Sequence, residues 1–171
     1  MSTTIGIGCS CPDRNDVFEE LQVLAGKFGY GLLNGIDHAE SDVRGGLQVA
    51  KENEGWECLM LLQSPKDNQV GLAFGIHEEL TRFETMGVRP RFFDFLVELF
   101  DFCSGGCDKL SVFFAAEWCD KDRIRFSYGG VDGLIALLSL PGHWGGRYLI
   151  PETWTLQDSD EVPLIFDFNI S

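Results

Sequence analysis

Between Phe92 and Phe102, eight of eleven residues are apolar: Phe92, Phe93, Phe95, Leu96, Val97, Leu99, Phe100 and Phe102. The three exceptions, Asp94, Glu98 and Asp101, stand at i, i+4 and i+7, the spacing of one narrow stripe along a helix. A helix this apolar is buried over most of its circumference, so the rest of the chain has to build a core around it. Arg89-Pro90-Arg91 opens the segment and Ser104-Gly105-Gly106 closes it.

The remaining sequence can supply that core. The chain has 171 residues, 44% of them hydrophobic, with 14 Phe and 4 Trp. That is far more apolar surface than a disordered chain carries, and the length suits one compact domain spanning residues 1–171. The longest apolar run, residues 134–140, is seven long and is interrupted by Ser139, whereas a membrane-spanning helix needs about 20. The first residues lack the charged start and apolar stretch of a secretory signal, which predicts a soluble, cytoplasmic protein with no membrane partner. The charge balance is 27 acidic against 13 basic side chains, a formal net charge of −14. A nucleic-acid backbone requires the opposite sign, so direct nucleic-acid binding is not expected.

Residues 3–9 are β-prone and end before the turn signal at Pro12-Asp13, predicting a first strand. Val17, Phe18, Leu21, Leu24, Ala25 and Phe28 recur at helical spacing, with Asn15 or Asp16 as N-cap and Gly29 just past the end. Residues 30–46 read as a mobile connection holding a short strand at 31–33. Residues 47–51 and 56–63, separated by Glu52-Asn53-Glu54-Gly55, read as a hairpin, with a further strand at 69–74. Residues 76–86 suit a short helix stopped by Gly87. Residues 110–118 and 123–128 flank a polar turn and read as a second hairpin. Residues 133–140 suit a short apolar helix or a strand, and 147–150 and 164–169 are strand candidates. The expected class is α+β: a mostly antiparallel or mixed sheet packed by two to four helices, because two hairpins force antiparallel neighbours.

Six cysteines (9, 11, 58, 103, 107 and 119) without an export signal are expected to be reduced. Cys9-Ser-Cys11 and Cys103-Ser-Gly-Gly-Cys107 could together offer four thiolates to zinc. Their spacings differ from the two-residue knuckle of zinc ribbons, so no metal site is assigned. On the plainer reading Cys9 ends a buried strand, Cys11 lies in a turn, and Cys103 and Cys107 flank a Gly-Gly turn after a helix.

Catalytic motifs are lacking. His77-Glu78-Glu79-Leu80-Thr81 starts like a metalloprotease helix, but Thr81 stands where the second ligand belongs. Gly6-Ile7-Gly8 resembles a dinucleotide fingerprint, yet Cys11 occupies the third glycine position. No cofactor is expected. An enzyme or ligand-binding domain with a pocket near Cys11, His77 or His143 is the alternative reading; a scaffold component of a larger assembly is a third. Cys11 is the best-placed thiol, although Asp13 and Asp16 would raise its pKa.

The clearest functional pointer is the charge on the apolar helix. Asp94, Glu98 and Asp101 repel one another, and folding does not require the arrangement; Arg91, one turn earlier on the same side, offsets part of the repulsion. Further carboxylates cluster at Glu52, Glu54 and Glu57, at Asp120 and Asp122, and at Asp158, Asp160 and Glu161. A solvated helix face also serves plain solubility, but the whole-chain imbalance exceeds what solubility needs. Such a surface attracts a basic protein partner. His143-Trp144-Gly145-Gly146-Arg147-Tyr148 adds an aromatic anchor at Trp144, next to flexible glycines. The compact, acidic, aromatic-rich and motif-free α+β character is similar to that of toxin-immunity proteins as a class. The expected partner-binding residues are Asp94, Glu98, Asp101, Trp144, Asp158, Asp160 and Glu161. The expected partner is a basic bacterial toxin domain such as a nuclease, and a phage-encoded DNA mimic would use the same electrostatics.

Overall fold

In the computed structural model, residues 4–12, 14–35, 37, 41–63, 74–115, 124–139 and 164–170 are described; of 41–43, 74, 75, 77, 84, 115 and 124 only the backbone is. The elements in chain order are β1 (Thr4–Ser10), α1 (Val17–Lys27), β2 (Gly31–Asn34), α2 (Ser41–Glu54) and β3 (Cys58–Gln63). They continue with α3 (Phe74–Met86), α4 (Arg91–Ser104), β4 (Lys109–Ala115), β5 (Ile124–Tyr128), α5 (Asp132–Leu138) and β6 (Leu164–Phe168). The strands form one sheet in the order β2-β3-β1-β4-β6-β5. Every neighbouring pair is antiparallel except β5–β6. The class is therefore α+β with a mixed sheet, as expected.

Side-chain alternation divides the core between the two faces of this sheet. Ile5, Ile7 and Cys9 of β1, Met60 and Leu62 of β3, Val112 and Phe114 of β4, and Phe166 and Phe168 of β6 point to one face. There they meet Leu21 and Leu24 of α1, Ile76 and Leu80 of α3, Phe92, Phe95, Leu96 and Leu99 of α4, and Leu134 and Leu138 of α5. The other face carries a smaller cluster in which Leu47 and Ala50 of α2 pack with Trp56, Leu59, Leu61, Phe113 and Ile165. Central strands buried on both sides explain why β3 and β6 are nearly continuous apolar runs.

Gly6 and Gly8 lie inside β1, not in a phosphate-binding loop. Their missing side chains make room for two rings: any Cβ on Gly6 would overlap Phe113, and any Cβ on Gly8 would overlap Trp56. Those rings stack with centroids 5.7 Å apart and planes 11° from parallel. Glycine in a strand is used here for close approach of a neighbour.

Both expected hairpins are corrected. Residues 47–51 belong to α2, and Glu52-Asn53-Glu54-Gly55 is its C-terminus, not a hairpin turn. Gly55 has φ +71°, and the amide of Trp56 donates back to the carbonyl of Lys51 at 3.1 Å, a glycine-terminated helix end. This helix makes five among the described residues. In the second case β4 and β5 are both strands but do not pair, because β6 lies between them. The reason is burial: β6 is buried almost throughout, whereas β5 exposes Arg125 and Ser127 and suits the edge. Of the other strand candidates, 147–150 and 69–73 lie outside the described residues, and Phe74 begins α3.

Candidate functional site

Helix α4 has no side-chain cap of its own at Pro90. Its start is instead held by Glu79 of α3, whose Oε1 accepts hydrogen bonds from the backbone amide of Arg91 at 3.0 Å and from its Nε at 3.2 Å. The other oxygen of Glu79 accepts from the Tyr30 hydroxyl at 2.5 Å. A carboxylate at a helix N-terminus is favoured by the helix dipole. Burial, then the hydrogen bond to Glu79, pushes the Tyr30 hydroxyl well above its usual pKa, so it remains a donor.

This tie corrects the expected role of Arg91. Its guanidinium turns to Glu79 and lies 5.5 Å from the Tyr30 ring centroid, away from the stripe. Arg89 takes its place: Nε reaches Asp94 Oδ1 at 3.0 Å, and the guanidinium lies 5.6 Å from the Phe93 ring centroid. Asp94, Glu98 and Asp101 are all exposed, as the spacing requires. Asp94 is partly neutralised by Arg89. Glu98 and Asp101 have no ion-pair partner among the described residues, and Asp101 sits in the last turn, where the helix dipole disfavours an anion.

The described arginines, meanwhile, are used within the fold. Arg82 pairs with Glu78, Arg89 with Asp94 and Arg91 with Glu79. Arg14 lies 3.6 Å from Glu20 and 4.2 Å from the Phe102 ring centroid, and its Nη2 donates to the carbonyl of Gly105 at 3.2 Å, closing the far end of α4. Arg125 makes two 2.7 Å hydrogen bonds to Glu54 and reaches Asp167 Oδ2 at 2.9 Å. Asp167 also accepts from Ser111 at 2.6 Å. Glu54, expected as part of an acidic patch, is thus a structural anchor between α2 and the sheet. Glu52 and Glu57 remain exposed and line an open, shallow groove of about 670 Å³ with Gln48, Lys51, Gly55 and Trp56.

Cys11 is not a free nucleophile. It is 3% exposed and disulfide-bonded to Cys107, which corrects the expectation of reduced thiols for these two residues. Cys9 and Cys103 are free and buried. Burial, followed by the neighbouring Cys103 and Cys58, pushes the Cys9 thiol far up, and burial pushes Cys103 up to about 12. Neither is an activated nucleophile. Among the described residues no three His, Cys, Asp or Glu side chains form a group that could hold a metal ion.

Of the other expected site residues, Trp144, Asp158, Asp160, Glu161 and His143 lie outside the described residues, as do Asp120 and Asp122; His77 lies in α3 with only its backbone described. The structure therefore places the stripe of α4 on one exposed face. The partners that sequence reasoning missed are Arg89 for Asp94, from the segment just before the helix, and Arg125 for Glu54, from a long-range contact; spacing within a helix encodes neither. No protein family, characterised relative or solved structure matches the chain. What defines it is an α+β domain on a mixed six-stranded sheet, with an acidic helix face. No described helix is long and apolar enough to cross a membrane.

Proposed function

We propose that this chain is an acidic protein-binding domain, acting as an immunity protein that neutralises a basic bacterial toxin such as a nuclease by occluding its cleft. The observation that carries the reading is that Glu98 and Asp101 stay exposed without an ion-pair partner among the described residues, while the arginines of α3 and the segment leading into α4 pair with other carboxylates. Burial of their helix does not require the charges, so a partner is a natural use for them. Carboxylates on a rigid helix stand in for the phosphates that a nuclease cleft holds, and charge complementarity of this kind speeds association. In this reading the chain works in the cytoplasm, where the target of such a toxin lies. Trp144, Asp158, Asp160 and Glu161 are proposed as further contacts.

The test is binding to a panel of purified basic bacterial nuclease domains, measured by calorimetry at low and high salt. The proposal expects affinity to fall steeply with salt and the toxin's activity to be suppressed by stoichiometric addition of this protein. A tight complex indifferent to salt would overturn the electrostatic mechanism, and no complex at all would overturn the assignment.

A further inference from the structure

Cys9, Cys11, Cys58, Cys103 and Cys107 gather at one end of the sheet. Cys9 faces Cys58 across the β1–β3 pair, Cys11 follows β1, Cys103 lies in the last turn of α4, and Cys107 precedes β4. We propose that the Cys11–Cys107 disulfide is a redox-reversible latch: closed, it pins the β1–α1 connection to the turn that ends α4, and reduction by a dithiol releases that turn without unfolding the sheet.

Three observations support the latch. Among the described residues, the two segments it joins are otherwise tied by the Arg14 contacts to Gly105 and Phe102, the hydrogen bond from the Asp108 amide to the Ser10 carbonyl at 2.9 Å and the Ser10–Lys109 pairing where β1 meets β4. The bonded cysteines are 3% and 6% exposed, yet Pro12, Gly105 and Asp108 beside them in sequence are exposed, so local lifting of either turn admits a small reagent. Two of the three free thiols nearby, Cys9 and Cys103, are buried and held protonated, and only a thiolate attacks a disulfide; the third, the half-buried Cys58, is paired across the sheet with Cys9 and not with Cys11 or Cys107.

The chemistry balances with an external dithiol as reductant. One of its thiolates attacks the sulfur of either cysteine, and the other cysteine leaves as a thiolate. The second thiol of the reagent then attacks the mixed disulfide and closes a cyclic disulfide. Two electrons pass to the protein, and the two protons of the dithiol end on Cys11 and Cys107.

The experiment treats the native, oxidised chain with dithiothreitol without air, counts thiols, and follows amide hydrogen exchange by NMR. Reduction is expected to add two thiols while the circular dichroism of the fold persists. Exchange at Cys107 and Asp108, whose amides bond to the Cys103 and Ser10 carbonyls, should accelerate about tenfold or more, with Met60 and Leu61 in β3 unchanged. Re-oxidation should restore the slow rates, and Cys103→Ser should leave the couple intact. The double variant Cys11→Ser, Cys107→Ser should match the reduced form in either buffer; if it does not fold, reversible reduction of the native chain decides alone. A disulfide that yields only on global unfolding, unchanged exchange after reduction, or six free thiols counted when the natively purified chain is unfolded without reductant would each overturn the proposal.

Discussion

Helices α2 and α4 are the same length, 14 residues each, and pack on opposite faces of one sheet, yet they are built on opposite terms. Helix α4 buries Phe92, Phe93, Phe95, Leu96, Leu99 and Cys103, and its polar residues fit in a single stripe. Among its described side chains α2 buries only Leu47 and Ala50, and covers part of its sheet face with help from Trp56 and the Arg125–Glu54 pair. The wide apolar face announces a helix from sequence because little else accommodates eight large side chains in eleven. The narrow face does not, because Leu47 and Val49, two apart, also fit a short strand, and the glycine that ends the helix also suits a hairpin turn. The contrast also bears on function: where burial already anchors a helix so firmly, charges on its outer stripe are released from any duty to stability.

That contrast can be broken most forcefully at the aromatic core. Phe95 is 1% exposed and meets the rings of Phe28, Tyr30 and Phe92. Phe95→Ala is expected to cost about 3–5 kcal/mol by chemical denaturation, against about 2–3 kcal/mol for Leu47→Ala on the α2 side. Equal losses would mean that the two faces contribute alike.

Among the described residues, alkaline pH should act mainly on the α4 face. Cys9, Cys103 and Tyr30 line it, and each holds its proton more tightly in the folded chain than its ordinary value of 9.0 for the thiols or 10.0 for the phenol. A raised folded pKa means that the native state binds more protons than the unfolded one once pH passes the unfolded value. This stabilisation is complete below about pH 9 and is lost as pH rises through the folded values. Thermal unfolding followed from pH 7 to 11 should show a falling Tm above pH 9, and Tyr30→Phe should flatten the part that begins near pH 10. On the opposite face, Gly8→Ala drives a methyl into the Trp56 ring and is expected to cost about 1–3 kcal/mol, with a change in tryptophan fluorescence; a neutral outcome would show that the ring shifts freely.

Legibility followed the same physics. β1, α1, α3 and α4 could be read because period and capping residues agree over their length: Gly29 and Gly87, for example, both stop helices with positive φ. The antiparallel neighbours do not come from the two expected hairpins but from strands distant in sequence, such as β1 with β3 and β4. Insertion of the C-terminal strand β6 between β4 and β5 is a long-range choice made by burial, and no local pattern in 110–128 reports it. On the candidate face, helical spacing placed Asp94, Glu98 and Asp101 correctly on the outside. It misassigned the counter-ion, because Arg91 is claimed by Glu79 of another helix, leaving Arg89 for Asp94.

The central claim is that the outer charges of α4 serve a partner and not the fold, and the double variant Glu98→Gln, Asp101→Asn tests it directly. Its unfolding free energy is expected to lie within about 0.5 kcal/mol of the parent, or slightly above it because like-charge repulsion is removed. Its affinity for a basic nuclease domain that the parent chain binds should fall at least about tenfold, with a shallower dependence on salt. Stability lost and affinity kept would contradict the account.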